Sequence, residues 1–147
     1  GTLFSFEIYF QPNQKVFPVT SYRGQFEKVI NFSSTYGGAI ITVEGHSDTM
    51  KYFRRKKQLA TSIELKRIKQ AGKNLSLERA GNVKDSIIRY AASKGVTIDK
   101  NQINVIGHGI NRPKYKIPKN KKQWRENMRV QFKVIQIEVE DNVFKPL

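Results

Sequence analysis

Three polar residues with chemically versatile side chains follow one another directly after a short apolar segment. The segment 39–44 reads AIITVE, and Gly45 separates it from His46, Ser47 and Asp48. An imidazole, a hydroxyl and a carboxylate in this order could hold a metal ion, take part in nucleophilic catalysis, form a turn or line a binding pocket. Each of these alternatives makes a different demand on the rest of the chain.

A metal site is the first alternative. The chain has two histidines, so the only candidate trio of ligands is His46, Asp48 and His108. Both histidines follow a glycine that ends a predicted strand, and they could approach each other if those strands are neighbours. However, the trio lacks the His-x-x-x-His or Glu-x-x-His spacing of known sites. Two histidines in structural turns are the better interpretation, and we expect neither a metal nor a cofactor.

Catalysis is the second alternative. Three consecutive residues such as His46, Ser47 and Asp48 cannot adopt the geometry of a nucleophile, a base and an orienting acid. The chain also has no Gly-x-Ser-x-Gly elbow. Catalysis by a carboxylate pair would need a second acid beside Asp48, and the other acids mostly occur where surface or helix-start residues are expected. The sequence therefore argues against an enzyme.

The elements that would position these residues follow from apolar periodicity. In chain order, the predicted elements are a strand at 3–10, a helix at 22–32, a central strand at 39–44, a helix at 76–94, a strand at 102–106 and a last strand at 128–134. This β-α-β-α-β-loop-β order predicts an α/β fold, an α+β sandwich with the helices on one face of a mixed sheet. We expect a single domain over 1–147, with a core at about 3–137 and a tail at 138–147.

The composition is strongly basic. Lys and Arg number 27 against 12 Asp and Glu, which gives a formal charge of +15 and predicts affinity for polyanions: nucleic acid, anionic lipid headgroups or an acidic wall polymer. The absence of cysteine excludes disulfides and thiolate chemistry. No apolar run approaches the ~20 residues that span a bilayer. We expect an excised domain whose targeting segment and membrane anchor lie upstream.

Much of this charge lies in residues 49–74, which contain nine Lys or Arg and one acid, Glu64. The composition favours a solvated surface insertion with a short helix around Ser62–Ala71. Phe53 and Trp124 stand among basic residues and could stack on bases. The chain nevertheless lacks the recognised RNA- and DNA-binding motifs, so nucleic-acid binding is kept only as an alternative.

Arg79 is the most informative basic residue. It falls in the first turn of the helix predicted from Ser76, on the flank of its apolar stripe, where an arginine beside free helix N–H groups forms a good carboxylate receptor. The alternative is a surface arginine paired with Glu78 or Asp85. If Asp48 lies near this helix start, an acid and a guanidinium share one pocket. Such a pocket suits a zwitterion, with Asp48 for an ammonium group and Arg79 for a carboxylate.

Four segments in order, VEGHSD, LSLERAGNV, VIGHGINRP and ENMRVQFKV, resemble the OmpA-like peptidoglycan-binding domain. That domain is also found in the peptidoglycan-associated lipoprotein and in the flagellar stator protein MotB. The similarity covers roughly 4–137. The family's Gly-His-Thr-Asp turn reads Gly45-His46-Ser47-Asp48 here, and its Leu-Ser-x-x-Arg-Ala pattern spans 75–80.

The resemblance implies that Asp48 and Arg79 bind the diaminopimelate of the peptidoglycan stem peptide. The further ligand-binding residues at matching positions are Ser47, Thr49, Leu75, Asn127 and Arg129. The family's Asn-Arg-Arg-Val pattern begins here at Asn127, but Met128 replaces the first arginine. Strand parity places Arg129 on the face opposite the core.

The function implied by the resemblance is non-catalytic binding of peptidoglycan that anchors an attached membrane or periplasmic protein to the wall. The expected location is the periplasm, with a tether to the outer or inner membrane outside this chain. A stator-like, MotB-type anchor and a simple outer-membrane anchor differ mainly in that upstream segment. The resemblance also allows a homodimer. The insertion at 49–74 borders the predicted pocket, where it could cover the ligand, contact the glycan strand or touch a partner.

Overall fold

A computed structural model describes residues 2–35, 39–137, 140 and 142–147 of the chain, with the side chains of residues 34 and 35 left aside. The strands in this part are β1 (Thr2–Tyr9), β2 (Ala39–Gly45), β3 (Ile103–Gly107) and β4 (Arg129–Gln136). The α-helices are α1 (Arg23–Thr35), α2 (Met50–Lys57), α3 (Ser62–Ser93) and α4 (Lys121–Asn127), with short 3-10 turns at Val19–Tyr22 and Lys100–Gln102. Within the described residues, no helix is both long and apolar enough to cross a membrane.

The four strands form one mixed sheet in the order β1-β4-β2-β3. β4 runs antiparallel to both β1 and β2, whereas β2 and β3 are parallel. The predicted central strand is confirmed, because β2 is hydrogen-bonded on both sides. Parallel pairing of β2 with β3 brings the segments that follow Gly45 and Gly107 to the same end of the sheet.

The core lies between one face of the sheet and the helices α1 and α3, which confirms the predicted arrangement. Its buried residues from the sheet are Ile8, Ile41, Val43, Val130, Phe132 and Val134, and those from the two helices include Phe26, Val29, Ala80, Val83 and Ile87. Alternation along the strands turns the intervening side chains to the opposite face. The residues of that face used below are Glu7, Glu44, His46, Arg129, Gln131 and Lys133.

The predicted start of the second long helix at Ser76 is wrong. α3 begins at Ser62, where the Thr61 hydroxyl accepts a hydrogen bond from the Glu64 amide at 3.1 Å, and it continues for 32 residues. Arg79 therefore lies in the middle of the helix. The sequence predicted a separate short helix around Ser62–Ala71. Its continuity with the helix from Ser76 was missed because the apolar side chains of residues 62–75 are exposed or half-buried, which weakens the periodic signal. The helix ends before Gly95, which has a φ of +76° as the predicted terminator requires.

The basic insertion is also more ordered than its composition indicated. Residues 49–74, interpreted as a solvated insertion, form α2 and the first part of α3. The loop before the last strand contains α4, which begins after Asn120, whose Oδ1 accepts from the Gln123 amide at 2.9 Å. The predicted division into core, insertion and tail stays a prediction, and residues 138, 139 and 141 of the tail lie outside the described part.

Candidate ligand-binding site

Two glycines allow α3 to lie directly on the ends of β2 and β3. A Cβ at position 45 would lie 1.9 Å from the Ser76 carbonyl oxygen, so only glycine fits there. Gly109 has a φ of +58°, and a Cβ at this position would lie 2.9 Å from the Lys73 amide nitrogen. The middle of α3 is thereby held against the loops that leave the two parallel strands.

Ser76 fastens this junction. Its side chain is fully buried, and its Oγ donates to the Lys73 carbonyl and accepts from the Gly109 amide, each at 2.9 Å. The Ser47 amide donates in turn to the Gly109 carbonyl at 2.9 Å. Helix and strand exits therefore form one rigid base for the residues that follow Gly45.

Asp48 lies at the top of this base and is half-buried. Its Oδ2 accepts hydrogen bonds from the Met50 amide at 2.9 Å and from the Trp124 Nε1 at 3.0 Å. Among the described residues, its Oδ1 accepts one long bond, 3.4 Å, from the Asn127 Nδ2. The carboxylate is thus oriented mainly through Oδ2.

Two residues next to Asp48, Thr49 and Asn127, form hydrogen bonds with the loop that precedes α4. Asn127 is fully buried, and its side chain donates to the Tyr115 carbonyl at 2.7 Å and accepts from the Tyr115 amide at 2.9 Å. Thr49 is 1% exposed and donates from Oγ1 to the Lys116 carbonyl at 2.8 Å. The structure therefore brings Asp48, Thr49 and Asn127 together, as three of the predicted site residues.

Arg79 is buried beneath the same strand exit, with 1% of its surface exposed. Its guanidinium donates to three main-chain carbonyls: Nε to Gln14 at 2.8 Å, NH2 to Gln11 at 3.1 Å and NH1 to His46 at 3.2 Å. Its Cζ also lies 5.1 Å from the centroid of the Phe10 ring. Burial lowers the pKa of Arg79 to about 10.

This environment corrects two expectations about Arg79. The arginine is in the core rather than on a flank of the helix, and α3 begins too far upstream to supply free N–H groups beside it. The alternative pairing with Glu78 or Asp85 is also wrong, since Glu78 binds Lys15 at 2.6 Å. Among the described residues, no hydrogen bond or ion pair joins Asp48 to Arg79.

Ser47 directly precedes Asp48, and Leu75 directly precedes Ser76 in α3. Ser47 is 4% exposed, and its Oγ makes no hydrogen bond with the described residues. The same oxygen lies 2.8 Å from the position that a Cβ on Gly72 would take, so α3 needs a glycine to pass it. Leu75 is half-buried on the adjoining turn of α3.

Arg129 lies on the opposite face of the sheet, as strand parity predicted for it against the core residue Val130. Only 5% of it is exposed, and burial lowers its pKa. Its NH2 donates to the Arg112 carbonyl at 3.4 Å, and its Nε lies 3.7 Å from Glu7 Oε1, beyond hydrogen-bond length. Nε and NH1 make no hydrogen bond with the described residues.

The two histidines stack beside Arg129, with ring centroids 5.0 Å apart. His46 Nε2 lies 3.0 Å from the Gln131 Oε1, and His108 Nε2 lies 2.8 Å from the Glu44 Oε1. Burial, together with the positive charge of Arg129, lowers the pKa of His46 to about 4. No group of three or more His, Cys, Asp or Glu residues suited to a metal ion occurs in the described part of the chain.

Glu44 carries the negative charge at the centre of this polar face. It pairs with His108 and with Lys133, whose Nζ lies 2.9 Å from Glu44 Oε2. Burial works against ionisation of Glu44, but the hydrogen bonds from these two residues outweigh it and hold the pKa of the carboxyl below its usual range. Glu44, His108 and Lys133 therefore form one network of paired charges on this face.

Sequence reasoning missed Trp124 and Ser76 as parts of the site. In the sequence, Trp124 stands among lysines, 76 residues after Asp48. No sequence pattern links the two residues, so the hydrogen bond between them could not be predicted. A signal for α4 exists, since Asn120 is a good helix-capping residue, and it would have placed Trp124 and Asn127 on one short helix.

The fold has clear relatives among solved structures, although no protein-family model and no curated protein sequence matches the chain. The peptidoglycan-associated lipoprotein from Burkholderia pseudomallei superposes with a TM-score of 0.60 at 15% identity, over 88% of this chain and 89% of the other. The OmpA-like domain of FopA1 from Francisella tularensis gives 0.58 at 18% identity, over 91% and 75%. The periplasmic domain of Helicobacter pylori MotB gives 0.60 at 12% identity, over 90% and 75%.

These similarities establish the fold. The chain has the architecture of OmpA-like domains, as the four sequence segments predicted. The identities are too low to carry the activity of any of these proteins to this chain, so function must be argued from the site itself.

Proposed function

We propose that this OmpA-like domain binds peptidoglycan without catalysis, through the diaminopimelate of the stem peptide, and so holds an attached protein to the cell wall. The structural similarity to a lipoprotein named for its association with peptidoglycan supports this proposal. The similarity to the periplasmic domain of MotB supports a location in the periplasm. The tether to an outer or inner membrane would lie outside this chain, and a MotB-type wall anchor is one version of the same role.

The orientation of the Asp48 carboxylate is the observation that carries the proposal. Two donors fix Oδ2, whereas Oδ1 has one long hydrogen bond among the described residues, and we assign Oδ1 to the ammonium group of the ligand. A charge-assisted bond from an ammonium group to such a preoriented oxygen is among the stronger hydrogen bonds in proteins. The distal centre of diaminopimelate supplies this ammonium group beside a carboxylate.

Arg79 supplies the opposite charge in the proposal. A guanidinium has five N–H groups, and three of those of Arg79 are occupied by main-chain carbonyls. We assign the two that remain to the ligand carboxylate. Its buried charge lacks an acidic partner among these contacts, so a ligand anion would compensate it.

The other proposed ligand contacts surround these two charges. We also assign Ser47, Thr49, Leu75 and Asn127 to the wall of the site next to Asp48. Arg129 begins β4 at the same end of the sheet, and its carbonyl accepts from the His46 amide at 2.8 Å. A stem peptide that crosses this end of the sheet would reach Nε and NH1 of Arg129, which have no hydrogen-bond partner among the described residues.

Binding to purified peptidoglycan tests the proposal. Sacculi that contain diaminopimelate should sediment the domain, and free diaminopimelate should release it. Asp48→Asn should reduce the bound fraction at least tenfold, because loss of one buried charge–charge contact costs about 2 kcal/mol or more. Asp85→Asn is the matched control, since it removes one acid from an exposed position of α3 and should bind like the wild type.

The outcomes distinguish recognition of diaminopimelate at the Asp48 site from wall binding in general. Equal binding to walls with lysine in the stem peptide would refute diaminopimelate recognition but keep wall binding. Wild-type binding by Asp48→Asn would refute the site. If the domain ignores sacculi but binds oligonucleotides with a steep salt dependence, the charge of +15 serves nucleic acid instead.

A further inference from the structure

Residues 50–75 form a helical hairpin that projects beyond the core, and we call them the basic hairpin. α2 and the first part of α3 are its arms. None of its residues is buried, and the first buried residue of α3 is Ser76. Helices in proteins are stabilised chiefly by packing an apolar face. This hairpin therefore has most of its surface available for another molecule.

The charge of the hairpin is almost wholly positive. It has nine Lys or Arg and one acid, Glu64. That acid already binds Arg55 through two hydrogen bonds, Nε to Oε1 at 2.9 Å and NH2 to Oε2 at 3.0 Å. The other basic residues of the hairpin have no acid within it, and their mutual repulsion would be relieved by an anionic surface.

The apex of the hairpin is uncharged and exposes two aliphatic side chains. Residues 58–63 read QLATSI, and Leu59 and Ile63 are 90% and 64% exposed. Leu59 has a φ of +61°, at the end of α2 where the Ala60 amide closes onto the Arg55 carbonyl at 3.0 Å. Glycine is the usual residue at this position of a helix end. A leucine here is strained and gains little from packing within the chain.

We infer that the basic hairpin docks onto an anionic phospholipid surface, with its apex among the headgroups. Lysines and arginines stand within about one turn on both sides of the apex: Lys56, Lys57, Lys66 and Arg67. Each basic residue near such a surface adds attraction to the lipid phosphates, and an exposed leucine gains by entering the interface. A nucleic acid would use the charge but would leave the aliphatic apex in water.

The contact is separate from the proposed wall binding. Ser76 lies thirteen residues after Ile63 along one continuous helix, which corresponds to about 20 Å. The domain could therefore touch a membrane with its apex while the site at the end of the sheet holds another ligand.

Vesicle sedimentation of the whole chain tests this inference. Vesicles in which about one third of the lipid is phosphatidylglycerol should bind the protein, and vesicles of pure phosphatidylcholine should not. Leu59→Gly should weaken binding about tenfold through the lost aliphatic side chain. The same variant should fold at least as stably as the wild type, because glycine suits the positive φ. A loss of binding therefore cannot be ascribed to unfolding.

Matched variants separate the hairpin from the rest of the surface. Ile117→Ser removes an aliphatic side chain that is 67% exposed in another loop, and it should leave binding within about twofold of the wild type. Lys56→Ser with Lys57→Ser should reduce binding about 25-fold, since each charge contributes roughly fivefold. Lys94→Ser with Lys100→Ser changes the net charge equally beyond the far end of α3 and should have a much smaller effect.

Three results would overturn the inference. Unchanged vesicle binding by Leu59→Gly would show that the apex does not enter the interface. Equal losses in the two double-lysine variants would show attraction by net charge alone. Failure to bind anionic vesicles, with tight binding of a single-stranded oligonucleotide that Lys56→Ser with Lys57→Ser abolishes, would assign the hairpin to nucleic acid.

Discussion

Two buried arginines lie on opposite faces of the sheet and differ in how their donors are used. Arg79, on the helix side, gives a hydrogen bond from each of its three nitrogens to a main-chain carbonyl. Arg129, on the other side, has one long bond, and its Nε and NH1 have no hydrogen-bond partner among the described residues. The two arginines are both buried, but the donors of Arg79 are hydrogen-bonded, whereas most of those of Arg129 are not in the described part of the chain.

His46 connects the two environments. Its carbonyl accepts from Arg79 on one face, whereas its ring lies near the charge of Arg129 on the other. Arg79 therefore has a structural role in addition to any contact with a ligand, because it joins the 11–14 loop to the segment that follows β2. Arg129 contributes less to the structure and keeps donors for an external acceptor.

Replacement of Arg79 should have the largest effect on stability. Arg79→Met keeps the aliphatic volume but leaves the carbonyls of Gln11, Gln14 and His46 without their donor. We expect the free energy of unfolding to fall by about 3 kcal/mol or more, since each bond to a charged group is worth roughly 1.5–3 kcal/mol. Urea denaturation followed by circular dichroism measures it. A loss below that of Arg129→Met would contradict the structural role.

The pH dependence of stability should follow His46. Its folded pKa of about 4 lies below the ordinary value of 6.5, so its contribution is fully present above pH 6.5 and is lost as the pH falls towards 4. Between these pH values His46 is protonated in the unfolded chain but not in the folded chain. The free energy of unfolding therefore falls by about 2 to 3 kcal/mol in total over this range.

His46→Gln removes this titration and tests the assignment. The variant can still bond to Gln131, but its stability should be much flatter between about pH 5 and 7, where carboxylates stay ionised. Unfolding curves at several pH values measure the slope. If the slope of the variant equals that of the wild type, another group is responsible.

Much of the fold was predictable because it rests on local patterns. The strand predicted at 39–44 and the last strand at 128–134 alternate or cluster apolar residues, and both lie in the sheet where expected. Gly95 likewise marks the end of α3. A short helix was predicted around Ser62–Ala71, but its continuation into the helix from Ser76 was not predictable in the same way, because residues 62–75 bury no side chain and leave only a weak periodic signal.

The candidate site was predictable in part. Asp48 follows a strand exit that the sequence shows, and parity alone placed Arg129 on the face away from the core. The burial of Arg79 was not readable, because its partners are carbonyls of the 11–14 loop, and main-chain acceptors carry no sequence signature. The contact of Trp124 with Asp48 depends on tertiary packing of α4.

Replacement of Arg129 should change stability less than replacement of Arg79. Arg129→Met removes a buried charge whose donors are poorly used, so the free energy of unfolding should shift by no more than about 1 kcal/mol in either direction. The loss of positive charge should also raise the pKa of His46 above about 4. Titration of the His46 ring by NMR measures this shift. An unchanged pKa would show that burial alone depresses it.

Replacement of Trp124 should have a similarly small effect on folding, and it tests how Asp48 is oriented without altering either arginine. Trp124→Phe keeps an aromatic ring in α4 but deletes the Nε1 donor to Asp48, which should cost about 1 kcal/mol of stability. Asp48 then keeps the Met50 amide as its remaining short donor, and its carboxylate is free to turn. Binding to peptidoglycan should therefore weaken several-fold, with Arg79 and Arg129 untouched. Wild-type binding by Trp124→Phe would mean that the Met50 amide alone orients the carboxylate, and that the arginines dominate recognition.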